Sequence, residues 1–196
     1  MATRGRPRAT RNVYSFEDPT LIAPAEVVVD TSFVVHALIP RQPLHAQCQA
    51  FLAHLSGSDC TLFFNRLLEV ELAESVFKIA VKEQHGGRAW PSKRFDGRVR
   101  RRAARILEET TEAWSTVLEA MNWGRIELEE VVELVPDLMK TFGLSSNDAV
   151  HAATVSYTGT SILVTTDSDF AVVADDQLTL LTSSSLVASC RRKRGG

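Results

Sequence analysis

The sequence predicts an α/β protein: a three-layer α/β/α domain around a central, mostly parallel sheet. Three observations lead there. Four short runs rich in apolar and β-branched residues, at 26–30, 62–64, 161–165 and 178–181, are separated by stretches with helical periodicity. None of these runs alternates apolar with polar residues, as a strand with one face in water would. They therefore read as strands covered on both faces, the setting of parallel strands under helices. Finally, 196 residues with 44% hydrophobic and 23% charged content suffice for one substantial domain and not for two ordinary ones.

Taken in order, residues 1–20 are polar and Arg-rich without an apolar period, and read as a flexible basic leader. The domain proper is expected over 21–188, followed by a basic tail at 189–196. Glu26-Val27-Val28-Val29-Asp30 is the first strand, and Thr31 or Ser32 caps a short helix that stops at Pro40. Residues 44–55 form a helix that ends in the turn Ser56-Gly57-Ser58, and 62–64 form the second strand. A strong helix over 67–81 is broken by Gly86-Gly87 and Pro91. Long helical periodicity follows over 99–121, part of an Arg-rich helical insertion around 85–125, and then again over 129–142. Gly143 serves as a helix C-cap. Ser145 starts a helix reaching 157, and the last two strands complete the sheet.

Composition excludes several classes. No apolar run approaches the ~18–20 residues of a membrane span, and no apolar segment follows the basic N-terminus to make a secretory signal. Cys48, Cys60 and Cys190 are odd in number and far apart, which fits neither a disulfide framework nor a thiolate zinc site. The expected setting is a reducing cytoplasm. The net charge of −2 conceals a partition, because residues 13–190 hold 14 basic and all 24 acidic residues. Within them, 88–105 carries eight basic residues against Asp96 alone. An acidic body with basic extremities suits a polyanion partner or a cation-dependent acidic site. Arg98, Arg100, Arg101, Arg102 and Arg105 would line one helix flank and could grip RNA phosphates, or else form a solvated face or a docking surface for an acidic partner. Arg4-Gly5-Arg6-Pro7 matches the short core of a minor-groove DNA hook, though four residues favour a plain solvated leader. His36, His45, His54, His85 and His151 show no ligand spacing, and His151 reads as a surface or packing residue. Gly86-Gly87 lacks the strand–loop–helix context of a phosphate loop.

The chemistry concentrates in acids at strand ends. Asp30 ends the first strand, Asp167 follows the third with Asp169 two residues on, and Asp148 lies in the first turn of the helix leading into that third strand. In a parallel sheet, ligands bind at the carboxyl ends of the strands. Carboxylates gathered there repel one another and call for a cation or a proton. Oxygen donors without Cys or paired His suit Mg²⁺ or Mn²⁺. Each acid also has a plain structural role, since each can cap a helix or favour its N-terminus.

Together the motifs resemble a known family. Val27-Val28-Val29-Asp30-Thr31-Ser32, an acid on the third helix, Leu144-Ser145-Ser146-Asn147-Asp148-Ala149-Val150-His151-Ala152-Ala153, and Leu163-Val164-Thr165-Thr166-Asp167-Ser168-Asp169-Phe170 are similar to a PIN domain, and within that family to the VapC-type toxins of type II toxin–antitoxin systems. The resemblance spans roughly residues 25–187. It implies a Mg²⁺-dependent ribonuclease of α/β/α fold, a homodimer, with RNA as substrate and a cognate antitoxin as inhibitor. It assigns catalytic roles to Asp30, Asp148 and Asp167 and puts Asp169 beside them at the metal. For the helix acid, Glu69, Glu71 and Glu74 compete: Glu71 matches the family spacing, whereas periodicity puts Glu69 among Leu68, Leu72 and Val76. Glu71 is taken as the active-site residue. The interval between that helix and Asp148 is longer than the family pattern, and the first twenty residues are additional. Two rivals remain: a phosphotransfer enzyme with Asp30 as nucleophile, which lacks the paired acids and the later Lys it would need, and an inactive PIN-like binding module. A housekeeping ribonuclease without an antitoxin is the variant within the same chemistry.

Overall fold

The computed structural model describes residues 12–173 and 178–192. The Arg4–Pro7 motif, the rest of the leader before residue 12 and the end of the basic tail lie outside the described residues. Six strands, β1 (Val13–Ser15), β2 (Glu26–Val29), β3 (Thr61–Asn65), β4 (Asn122–Ile126), β5 (Ile162–Val164) and β6 (Thr179–Thr182), form one sheet in the order β1-β6-β5-β2-β3-β4. Every pairing is parallel. The helices are α1 (Thr31–Leu38), α2 (His45–Ser56), α3 (Arg66–His85), α4 (Gly97–Glu119), α5 (Val135–Phe142), α6 (Ser146–Thr158) and α7 (Ser184–Arg192).

The central strands are covered on both faces. Val27, Val29, Leu62 and Phe64 point into one core with Phe33 of α1, Leu52 of α2, Leu68 of α3 and Trp114 of α4. Trp114 meets the Phe64 ring edge-on at 5.2 Å. Val28, Leu163 and Leu180 point the other way, against Ala149, Ala152 and Ala153 of α6 and Val187 of α7. The small residues on α6 let that helix lie close to the sheet. A third cluster, built on Val76, Ala80, Val99, Ala103 and Ile106, holds α3 against α4. No helix among the described residues is long and apolar enough to cross a membrane.

Several expectations are corrected. Residues 13–15, read as leader, pair with β6 at the sheet edge, and residues 184–192 form α7, although its first half was assigned to the domain and its end to a tail. The long helix stops at Glu119, and 122–126 become the opposite edge strand. Gly124 lies opposite Phe63, and a Cβ there would sit 2.7 Å from the Phe63 ring. The expected helix over 129–142 is two short 3₁₀ turns followed by α5, because Pro136 at the second helical position cannot continue a helix from its N-terminal side. Gly86 at φ 82° ends α3 four residues later than periodicity suggested.

The topology positions the site. The chain leaves β2 for β3 on one side, while β5 leads to β6 on the other. The carboxyl ends of β2 and β5 therefore flank the switch point where open α/β sheets hold their ligands.

Candidate active site

Asp30 sits at that switch point, one residue past β2, and caps α1. Its Oδ1 accepts the Phe33 backbone N–H at 3.0 Å and the Ser32 hydroxyl at 2.9 Å. Its Oδ2 accepts the Thr165 hydroxyl at 2.8 Å from the end of β5. The residue is only 3% exposed. Burial pushes its carboxyl up to about 6, against the pull of these hydrogen bonds. Ser32 in turn accepts the Thr166 hydroxyl at 2.9 Å, and His36 Nδ1 reaches that same hydroxyl at 2.8 Å.

Thr165 links the two strand ends. While donating to Asp30, it accepts the backbone N–H of Asp167 at 2.9 Å. Asp167 Oδ1 then accepts the Asp169 N–H at 2.9 Å. Asp167 is half-buried, and its carboxyl is raised, first by burial and then by the charges of Asp169 and Asp148. Asp148 thus lies within electrostatic reach of the β5 acids. It is held at the start of α6 by the Ser145 hydroxyl, which donates to its Oδ2 at 2.7 Å and accepts its backbone N–H at 3.2 Å.

Of the three candidate glutamates on α3, Glu71 alone reaches this region. Glu69 pairs with Arg66 and Arg125, and Glu74 pairs with Lys78. The apolar surroundings that periodicity gave Glu69 are replaced by two guanidinium groups. Glu71 accepts three hydrogen bonds: Thr31 Oγ1 at 2.5 Å and His151 Nε2 at 2.9 Å on Oε2, and Asn147 Nδ2 at 2.6 Å on Oε1. Burial alone would raise its carboxyl, but the bonds from His151, Thr31 and Asn147 outweigh it and hold the group below its usual value. His151, expected as a packing or surface side chain, is 2% exposed and joins Glu71 to Asn65, whose Nδ2 lies 2.9 Å from His151 Nδ1. Sequence reasoning missed Asn65, Thr31, Asn147 and Thr165 as site residues. The available signal was position: Asn65 and Thr165 follow strand residues at the same sheet edge as Asp30.

Residues 27–176 match the model of the PIN domain. The chain belongs to the PIN-domain family. Two solved structures are similar to it. One is VapC20 of Mycobacterium tuberculosis, a toxin that cleaves the sarcin–ricin loop, at 13% identity over 78% of this chain and 98% of that one, with a TM-score of 0.49. The other is PAE2754 from Pyrobaculum aerophilum, at 18% identity over 91% of this chain and 99% of that one, with a TM-score of 0.46. No curated protein matches the sequence.

The acids of this PIN domain fall into two groups. Asp167 feels the charges of Asp148 and Asp169, whereas Asp30 and Glu71 each accept three or more internal hydrogen bonds. Among the described residues, no three His, Cys, Asp or Glu side chains already converge as a metal-binding group. The donor set still fits a hard divalent ion: it is all carboxylate, and the like charges that help raise Asp167 are relieved by a cation. The Arg segment lies elsewhere. Arg98, Arg100, Arg101 and Arg105 are exposed on α4, but Arg102 donates to Glu83 of α3 at 2.8 Å and is not a free phosphate ligand. Glu83 is twelve residues beyond Glu71 on α3, or about 18 Å along the helix axis. These arginines are remote from the acids.

Proposed function

We propose that this PIN domain is a metal-dependent endoribonuclease that hydrolyses RNA phosphodiester bonds, acting in the cytoplasm as the toxin of a type II toxin–antitoxin pair. The observation that supports the reading is that, in a PIN domain, Thr165 ties Asp30 to Asp167 at the switch point while the charges of Asp148 and Asp169 reach Asp167. Asp148, Asp167 and Asp169 would hold Mg²⁺ or Mn²⁺, with Asp30 behind them. Such an ion, when bound, neutralises charge on the phosphate and lowers the pKa of bound water. The chain's own groups do the rest. Thr165 keeps the Asp30 and Asp167 segments in register. Glu71, kept ionised by its three donors, offers Oε1 to orient a water or a ribose hydroxyl. The exposed arginines of α4 take RNA phosphates several nucleotides from the scissile bond.

An unrestrained cytoplasmic ribonuclease harms its own cell, so the toxin role entails an inhibitor. An antitoxin that places Arg or Lys among the carboxylates would displace the cation. A homodimer is part of the same proposal, carried by the resemblance to the toxin branch of the family. The test is RNA cleavage by the purified chain with Mg²⁺ or EDTA, beside Asp30→Asn. Cleavage that needs the ion and disappears in the variant is expected, and cleavage by the folded variant at the wild-type rate refutes the reading. Expression of the chain alone should arrest growth, and co-expression of a small neighbouring open reading frame should relieve it. Normal growth with soluble, active enzyme leaves a housekeeping ribonuclease.

A further inference from the structure

We infer that His151, locked by Asn65 as the Nε2–H tautomer, is a positioning residue that aims the Glu71 carboxylate; this rests on the nuclease reading only for its kinetic consequence. The tautomer follows from the hydrogen bonds on the Nδ1 side of the ring, which lie in a buried cluster. Asn65 ends β3 and caps α3, so its Oδ1 accepts the Leu68 backbone N–H at 3.2 Å. Its Nδ2 must then supply the two remaining contacts, His151 Nδ1 at 2.9 Å and Thr154 Oγ1 at 3.2 Å. Thr154 cannot donate back, because its hydroxyl hydrogen goes to the Val150 carbonyl at 2.8 Å. Turning the Asn65 amide over would set an NH₂ against the Leu68 N–H and leave Thr154 Oγ1 facing another acceptor. His151 Nδ1 is therefore a lone pair, and Nε2 carries the proton.

That proton points at Glu71 Oε2, 2.9 Å away, with Thr31 Oγ1 a more distant second acceptor at 3.3 Å, and Oε2 also takes the Thr31 hydroxyl hydrogen. Oε2 is thereby filled. Oε1 has only the Asn147 amide and keeps acceptor capacity. The arrangement fixes which oxygen of Glu71 is presented, and it does so from side chains that solvent does not reach: Asn65 and Thr154 are fully buried, and His151 is nearly so. A caged imidazole that orients a carboxylate acts through that carboxylate, and loss of such a supporting partner typically costs about 10–100-fold in activity.

Two measurements test this. In the metal-free wild-type protein, two-dimensional ¹⁵N–¹H spectra of the imidazole should report the Nε2–H tautomer for His151; the Nδ1–H pattern overturns the inference. His151→Gln retains an N–H near the Nε2 position, whereas His151→Phe fills the volume without a donor. For folded variants, kcat should fall at least about tenfold in His151→Phe with KM for RNA little changed, and His151→Gln should recover most of it. Equal loss in both variants, or no loss in His151→Phe, overturns the positioning role. If the wild type cleaves no RNA under any ion condition, the nuclease reading fails, and the tautomer spectrum still decides the cage.

Discussion

Asp30→Asn should stabilise the metal-free protein at neutral pH while doing nothing of the kind in acid. The cause is the burial of a carboxylate, which its hydrogen bonds offset only in part. In the folded chain Asp30 titrates at about 6, against an ordinary value of 3.8. Between those two values the folded state holds a proton that the unfolded state has lost. Stability contributed by this group therefore falls as pH rises from about 4 to 6 and levels off above that. Two pH units correspond to about 3 kcal/mol. Asparagine has no proton to lose and escapes the penalty. Its amide fits the site imperfectly, since Thr165 donates to the position an NH₂ would occupy, and that mismatch costs about 1 kcal/mol at every pH. The quantity to measure is thus the change with pH of the difference between the two proteins. Other titrating groups, including the depressed Glu71, cancel in it. Urea or thermal unfolding in EDTA at pH 4 and pH 8 should show the variant gaining about 2.4 kcal/mol relative to wild type, or roughly 5–10 °C for a domain of this size. A difference that stays within about 1 kcal/mol across the range would refute the account of Asp30 as a buried, destabilising carboxylate.

Further outcomes follow from the same geometry. Mg²⁺ at about 100 times its Kd should stabilise the wild type by about 2.7 kcal/mol, and Asp167→Asn should lose most of that shift in a thermal scan; equal shifts remove Asp167 from the ion's ligands. Replacing Arg98, Arg101 and Arg105 with Gln should weaken RNA binding and lower the slope of log affinity against log salt by about 0.7 per lost contact with single-stranded RNA, whereas Arg102→Gln, already paired with Glu83, should leave the slope nearly unchanged. An unaltered slope in the triple variant, with weaker antitoxin binding, would assign the segment to the partner. Gly124→Ala should cost about 1–3 kcal/mol in denaturant unfolding, because its Cβ would meet the Phe63 ring at 2.7 Å; a neutral result would mean that the ring yields freely.

What was legible in the sequence was whatever buries on two sides. Val27, Val28 and Val29 are apolar without interruption because helices cover both faces of β2, and that pattern is local. The edge strands carry no such mark. Val13-Tyr14-Ser15 and Asn122-Trp123-Gly124-Arg125-Ile126 are three and five residues long, with Tyr14 and Trp123 about half exposed. Their strand character comes from pairing with β6 and β3, partners distant in sequence, so tertiary context decides it. The split of the expected helix over 129–142 was legible after all, since Pro136 stands within it.

The site divides along the same line. The aspartates were findable because strand ends and helix starts can be read from the chain, and the sheet rule then sends them to one edge. The choice of Glu71 over Glu69 and Glu74 rested on the family resemblance, because a helical wheel ranks faces by apolarity and cannot see that Arg125, from β4, would come round to Glu69. His151 was set aside for the same reason. An imidazole three residues after Asp148 has no meaning until β3 brings Asn65 against it and α3 brings Glu71. Once those partners are in place, the choice of glutamate and the role of the histidine become a single fact: the α3 carboxylate that faces α6 is the one His151 can reach. The polar residues that matter here are recognised by what they would leave unpaired. Removing His151 would leave one N–H of the fully buried Asn65 amide without its acceptor, where an unmet donor costs about 1–3 kcal/mol, and would leave Glu71 Oε2 with the Thr31 hydroxyl alone.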